Sequence, residues 1–314
     1  MSDFVSQLAN EIEAELRAAF LDAIEDMHVH VDVPSLIAAA DRGDDDAVLG
    51  YVGDRLRRLA DILVTSFRRA GTTAAERLGL RFDPSEPSAD AARASAVASI
   101  MKSLAADTAS AMMQAAFRST LDTAPHLVRD AIGLSPAQGA SLAVFRRALE
   151  QELARQQPAP ARTIGFTRER AGIPDLPAEA LRHLSAPQRS VIEKAARLTL
   201  DKAKVDALVA QQRRALLDIR AAAIGTSGAL TITNAGEHAA WAQAVNQRDL
   251  GPNWRRFWID RADERVRHAH REVKALNPEG VAIGEPFDTA LGPCLHPPLE
   301  RGCRCRVELR EMPA

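Results

Sequence analysis

The sequence predicts a mainly α-helical protein, an elongated helical body that ends in a small α+β C-terminal domain. Three observations carry that prediction. Aromatic residues make up only 4% of the 314-residue chain, with a single tyrosine, Tyr51; strands favour aromatic and β-branched side chains, so this composition argues against extensive sheet. Alanine, the strongest helix former, runs throughout. Apolar residues recur at helical spacing until about Gly251, where Gly and Pro become frequent and two tryptophans, Trp254 and Trp258, come close together.

The first element is an amphipathic helix. Ser2 and Asp3 can cap it, and Phe4, Leu8, Ile12, Leu16, Phe20 and Ile24 form one stripe. Val33-Pro34-Ser35 ends it. A second pattern runs from about Ala47 to Leu80, with Leu49, Val52, Leu56, Leu59, Leu63 and Phe67 on one face and Gly50, Gly53 and Gly71 as weak points. Residues 82–90 are turn-rich and read as a joint. From Ser88 to Leu121 an alanine-rich helix follows, about 50 Å long if straight, whose apolar face holds Val97, Ile100, Met101, Leu104, Met112 and Ala115. Met112 and Met113 fit a helical core better than a partner-binding patch.

Pro125 and Gly133 close that region, and Ser135-Pro136 opens the next helix, Ser as cap and Pro at the first helical position. A Pro-rich linker is expected near 154–177. Helix resumes from Pro177 through Arg220 and on toward Asn246, although the run Ala229–Thr233 within it has strand-like composition. Beyond Gly251, short β-like pieces at Val281–Ile283 and Cys305–Leu309 indicate an irregular α+β unit. The expected organisation is therefore an N-terminal helical region at 1–125, a central helical region at 126–250 and a C-terminal domain at 251–314.

A formal net charge of -2 gives no global attraction to nucleic acid. Acids concentrate in the first fifty residues and arginines later, which solvated helix faces explain as well as two different partners do. No basic segment leads into an apolar stretch at the start, and every apolar run is expected to be broken by charge short of the ~20 residues that span a bilayer. There is no phosphate loop of the G-x-x-x-x-G-K type, no H-E-x-x-H and no G-x-S-x-G. His28-Val29-His30-Val31-Asp32 imitates the alternating ligands of a metal hydrolase strand but lacks matching acids.

All three cysteines, Cys294, Cys303 and Cys305, fall near the C-terminus, which reads as a local site rather than a disulfide scaffold. Cys303 and Cys305 are two apart, so on a strand both sulfurs face one side. With His270 and His296 they make a four-ligand set for structural zinc, Cys294 being the substitute fourth ligand. Thiols packed in a small core, or a disulfide, are the competing reading. Asp263, Arg265 and Arg267 have spacings suited to pairing with one another and capping the domain. Interleaved acids make Arg255, Arg256, Arg261, Arg265, Arg267 and Arg271 a solvated or partner-facing surface rather than a phosphate track.

Trp258, then D-E-R-V-R-x-x-H from Asp263 to His270, then Phe287, then C-R-C leading into an apolar strand at Cys303–Leu309 form an ordered series. In order and spacing it resembles the Mu F-like, or phage head morphogenesis, family of minor capsid proteins. Gln211–Ser227, Asn234-Ala235-Gly236 and Ala131–Glu150 are similar to segments of the same family, so the resemblance covers roughly the second half of the chain; the first half attaches only by association. Two departures stand out. Gly225-Thr226-Ser227 occupies a place where relatives often carry Arg-Thr-Glu, and Arg267 and His270 stand where some relatives have two cysteines.

The resemblance implies a low-copy minor head protein of the virion, made in the host cytoplasm. It would act at the portal–capsid region in head morphogenesis, DNA packaging or ejection. Portal protein, capsid components and packaged DNA are the implied partners; no membrane is expected. Trp258, Asp263, Arg265, Arg267, His270, Phe287, Cys303 and Cys305 would then organise the C-terminal domain, with no catalytic residues and no enzymatic activity. The alternative is an enzyme or toxin-type effector using the His/Cys cluster.

Overall fold

A computed structural model describes residues 2–122, 126–156, 184–260, 266–300 and 303–313. Among these the chain is 71% helical, with ten helices and one small antiparallel sheet near the C-terminus, as the composition predicts. The helices are α1 (Ser2–His30), α2 (Val33–Arg42), α3 (Asp45–Arg55), α4 (Arg57–Glu76), α5 (Pro87–Asp122), α6 (His126–Ala131), α7 (Pro136–Gln156), α8 (Ala186–Ala195), α9 (Lys202–Asn246) and α10 (His268–Leu276). The strands are β1 (Trp254–Ile259), β2 (Val281–Ala282) and β3 (Arg306–Glu311), in the order β2-β1-β3.

Local chemistry explains most boundaries. Asp32 caps α2 by accepting from the Ser35 backbone N–H, and Gly43 ends it with φ 65°, a left-handed turn that glycine adopts without Cβ strain. The helix predicted over 47–80 is two helices. Its break falls at Leu56, which precedes α4, and not at a glycine. Ser135 and Gln138 bond each other's backbone N–H reciprocally at the start of α7, and Ser185 with Gln188 does the same for α8. The Pro-rich linker expected near 154–177 lies outside the described residues from 157 on; 154–156 close α7.

His28 and His30 lie in the last turn of α1, as the helical pattern that ends at Val33 predicts; residues two apart there point to different sides, so they form no strand-like ligand pair. The helix expected to run from Pro177 through Arg220 is interrupted between α8 and α9. The strand-like run Ala229–Thr233 is helical: Ala229, Ile232 and Thr233 are buried, and Thr231 and Asn234 bond the carbonyls of Ser227 and Leu230 four residues back. Tertiary burial here outweighs an intrinsic preference of a few tenths of a kcal/mol, roughly, per residue. One described helix, α9, is long and apolar enough to cross a membrane, where every apolar run was expected to be broken by charge; Ala221, Ala229, Ile232, Ala235 and Glu237 within it are buried in the protein.

The chain divides into two compact units. One comprises Met1–Ala23, Gly53–Leu104 and Ala221–Ala314; the other comprises Ile24–Val52 and Ala105–Arg220. In the second, Arg146 is buried and bonds Asp130 at 2.6 Å and Asp206 at 2.7 Å. Arg220 donates to the Gly133 carbonyl and Thr108, and Arg213 to the Ile132 carbonyl. These cations pin the α6–α7 turn.

In the first unit, the helical core joins Leu8, Ile12 and Leu16 of α1, Leu63 and Phe67 of α4, and Ala229 and Ile232 of α9. Small residues let the backbones approach. A Cβ on Gly225 would lie 2.7 Å from the Glu13 carbonyl oxygen, and one on Gly236 would lie 2.5 Å from that of Phe67. A second core cluster joins Ala74 and Ala75 of α4 and Ala240, Trp241 and Ala244 of α9 to Trp258, Val273, Phe287, Cys303, Cys305 and Val307. The C-terminal sheet is therefore packed on α4, far from it in sequence, and on the end of α9 just before it.

Candidate functional site

β1 is the middle strand, pairing Arg256 with Val281 on one side and Leu309 on the other, and Trp258 with Val307. Alternation along the strand puts Arg256 and Trp258 on the buried face. Trp258 meets Phe287 edge-on, ring centroids 5.4 Å apart. The segment carrying Phe287 is held by a reciprocal backbone pair with Cys294, at 2.8 and 2.9 Å, and by Asn277, which bonds the backbone N–H and C=O of Asp288. Lys274 of α10 pairs with Asp260 beyond β1 at 3.1 Å. Sheet, helix and loops thus close over one small core.

Within that core, His270, Cys303 and Cys305 are each no more than 3% exposed, and their donor atoms lie within 4.8 Å of one another. His270 comes from the first turn of α10, while the cysteines precede β3. Nδ1 of His270 is 3.6 Å from Cys305 Sγ, and its Nε2 is 3.2 Å from Glu300 Oε1. Arg267 holds the same carboxylate oxygen at 2.9 Å. Cys303 Sγ accepts the backbone N–H of Cys305 at 3.5 Å. Interaction with the Cys305 thiol lowers the Cys303 thiol below its ordinary range, and Cys305 is raised in return. The Trp258 indole N–H, buried without a hydrogen-bond partner, lies near enough to Cys305 to favour a thiolate there.

His296 and Cys294 belong to a neighbouring group. His296 Nδ1 donates to the Pro297 carbonyl at 2.9 Å, Cys294 Sγ donates to the His296 carbonyl at 3.1 Å, and the His296 ring centroid is 6.0 Å from that of His238. Fully buried Arg256 lies against them, donating to the carbonyls of Ala282, Leu295 and Glu285, with its guanidinium 5.0 Å from the Phe287 ring centroid. Burial, then the Arg256 charge, brings His238 down to about 4, so this group disfavours further positive charge.

Of the residues singled out in the sequence, Trp258, His270, Phe287, Cys303 and Cys305 share one core. Arg267 stands at its edge through Glu300. Asp263 and Arg265 lie outside the described residues. Sequence reasoning did not single out Glu300, Lys274, Asp260, Glu237 or His238. For Glu237-His238 there was a signal: an ionisable pair set in an otherwise small and apolar stretch of α9. Glu237 is buried, which pushes its carboxyl up to about 7 despite Arg77 at 3.9 Å.

A groove between α1 and α4, lined by Gln7, Glu11, Thr65, Arg68, Arg69 and Thr72 among others, contains none of these groups. Arg69 there already pairs with Glu11 and Glu15. Comparison with known protein families, with characterised proteins and with solved structures finds no match to this chain.

Proposed function

We propose that the protein is a minor head protein of a bacteriophage, a structural and assembly component at the portal–capsid region that serves head morphogenesis, DNA packaging or ejection. The reading starts from the resemblance in the second half of the chain. The observation that supports it is the use made of the motif: Trp258, His270, Phe287, Cys303 and Cys305 are all buried and join sheet, α10 and loops in one core. Residues used in this way organise a domain. A catalytic cluster would instead present a nucleophile or a metal-bound water to a cleft, with a general base in reach.

On this reading the protein is not an enzyme; it resides in the virion head after assembly in the host cytoplasm and contacts portal protein, capsid components and packaged DNA rather than a membrane. Quantitative mass spectrometry of purified DNA-filled particles tests it. A few copies per particle, far below the major capsid protein, is the expected result. Absence from intact particles, with the protein left in the lysate, overturns the virion assignment.

A further inference from the structure

We propose that His270, Cys303 and Cys305 form a zinc site in which Glu300 fixes the histidine tautomer and Arg267 fixes Glu300. The inference rests on geometry and stands apart from the assignment to a phage head.

Three features carry it. The first is the donor set. Two sulfurs and one imidazole nitrogen, all buried, converge within 4.8 Å from two separate elements, and the cysteines are free rather than joined in a disulfide. Thiolate and imidazole select zinc-like metals over magnesium or calcium, which prefer oxygen donors. The second is spacing. A tetrahedral zinc with Zn–S of about 2.3 Å and Zn–N of about 2.0–2.1 Å separates sulfur from nitrogen by about 3.5 Å. The observed distance from Cys305 Sγ to His270 Nδ1 is 3.6 Å.

The third feature is the surrounding shell. Glu300 accepts at Nε2 of His270, which places the ring proton there and leaves the Nδ1 lone pair facing the sulfurs. Metal-bound histidines characteristically hand their other N–H to a carboxylate in this way, and that carboxylate is itself held in place; Arg267 holds it here. His296 and Cys294 are not in the ligand set: their donor atoms fall outside the group that converges within 4.8 Å, and the Arg256 charge lies against His296.

The test uses the full-length protein, purified reduced and dialysed against metal-free buffer, with zinc measured by plasma mass spectrometry. Wild type should retain about one zinc per chain. Adding Co2+ to chelator-stripped protein should give the intense near-ultraviolet sulfur-to-cobalt charge-transfer band of a thiolate site. His270→Ala and Cys303→Ser should each lose most of the zinc, whereas His296→Ala and Cys294→Ser should keep it. Because the first two variants can also loosen the core, wild type decides: far less than one zinc per chain together with no charge-transfer band overturns the proposal. Loss of zinc in His296→Ala or Cys294→Ser with retention in His270→Ala overturns the ligand set.

Discussion

Glu300 Oε1 lies 3.2 Å from Nε2 of His270, while the other nitrogen of the same ring faces Cys305. One carboxylate thus sets which lone pair the imidazole offers to the sulfurs. Given the zinc site proposed above, Glu300→Gln keeps the size of the side chain but removes the charge that holds the tautomer. Zinc affinity should fall by about 10–100-fold, read by competition with a chromophoric chelator, while the far-ultraviolet spectrum stays unchanged. Equal affinity in the two proteins would show that Glu300 plays no part.

Two glycines in helices should respond in opposite ways to the same change. A Cβ on Gly236 of α9 would meet the Phe67 carbonyl oxygen at 2.5 Å and the Ala70 Cβ at 2.9 Å, and backbone cannot move aside cheaply. Gly236→Ala should cost about 1–3 kcal/mol. Gly50 in α3 has nothing within 4 Å of its added Cβ, so Gly50→Ala should gain about 0.5–1 kcal/mol. Urea unfolding of both variants beside wild type checks the pair.

The ion pairs differ sharply in burial, and their removal should differ accordingly. Burial acts to lower the Arg146 guanidinium, but the carboxylates of Asp130 and Asp206 outweigh it and raise it. Arg146→Ala strands Asp130, only 15% exposed, beside an empty site, and should cost about 3–5 kcal/mol. Arg57 and Asp54 are each 75% exposed, so Arg57→Ala should change stability by less than about 0.5 kcal/mol. Comparable losses from both would contradict the ranking by burial.

Glu237 should impose a penalty that grows with pH. Its folded value of about 7 lies above the ordinary 4.5, because burial disfavours the carboxylate. The unfolded chain therefore releases the proton first as pH rises. The stability from the neutral acid is fully present below about pH 4.5 and is lost as pH climbs to about 7. Glu237→Gln cannot ionise, so between pH 4.5 and 8 it should gain on wild type by an amount on the order of 2–3 kcal/mol. His238 works in the opposite sense. Its neutral form is favoured when folded, so its contribution is present above about pH 6.5 and lost as pH falls toward 4. Denaturant titrations across this range separate the two; parallel curves for wild type and Glu237→Gln would refute the assignment.

Much of the helical architecture was legible because its signals are local. The stripe Leu8, Ile12, Leu16 is the stripe that α1 buries, and Ser135-Pro136 does begin a helix. The break at Leu56 was not legible, since it follows from what packs around that residue, and at Ala229–Thr233 the strand-like composition competed with a helical pattern that burial decided. For the candidate site, the cysteine spacing and His270 were readable, whereas Glu300 was not. Nothing in a lone glutamate thirty residues after a histidine reveals that the two meet.

By itself the sequence determined the fold class, the capped helix start at Ser135-Pro136 and the concentration of soft ligands at the C-terminal end. Spacing and composition act over a few residues, within reach of one helical turn or one strand pair. Tertiary structure alone decided that His270, and not His296, joins Cys303 and Cys305, that Arg256 and Glu237 are buried charges, and that the C-terminal sheet shares a core with α4 and α9. Those outcomes depend on which distant surfaces exclude water together, and burial is a property of the packed chain rather than of any segment within it.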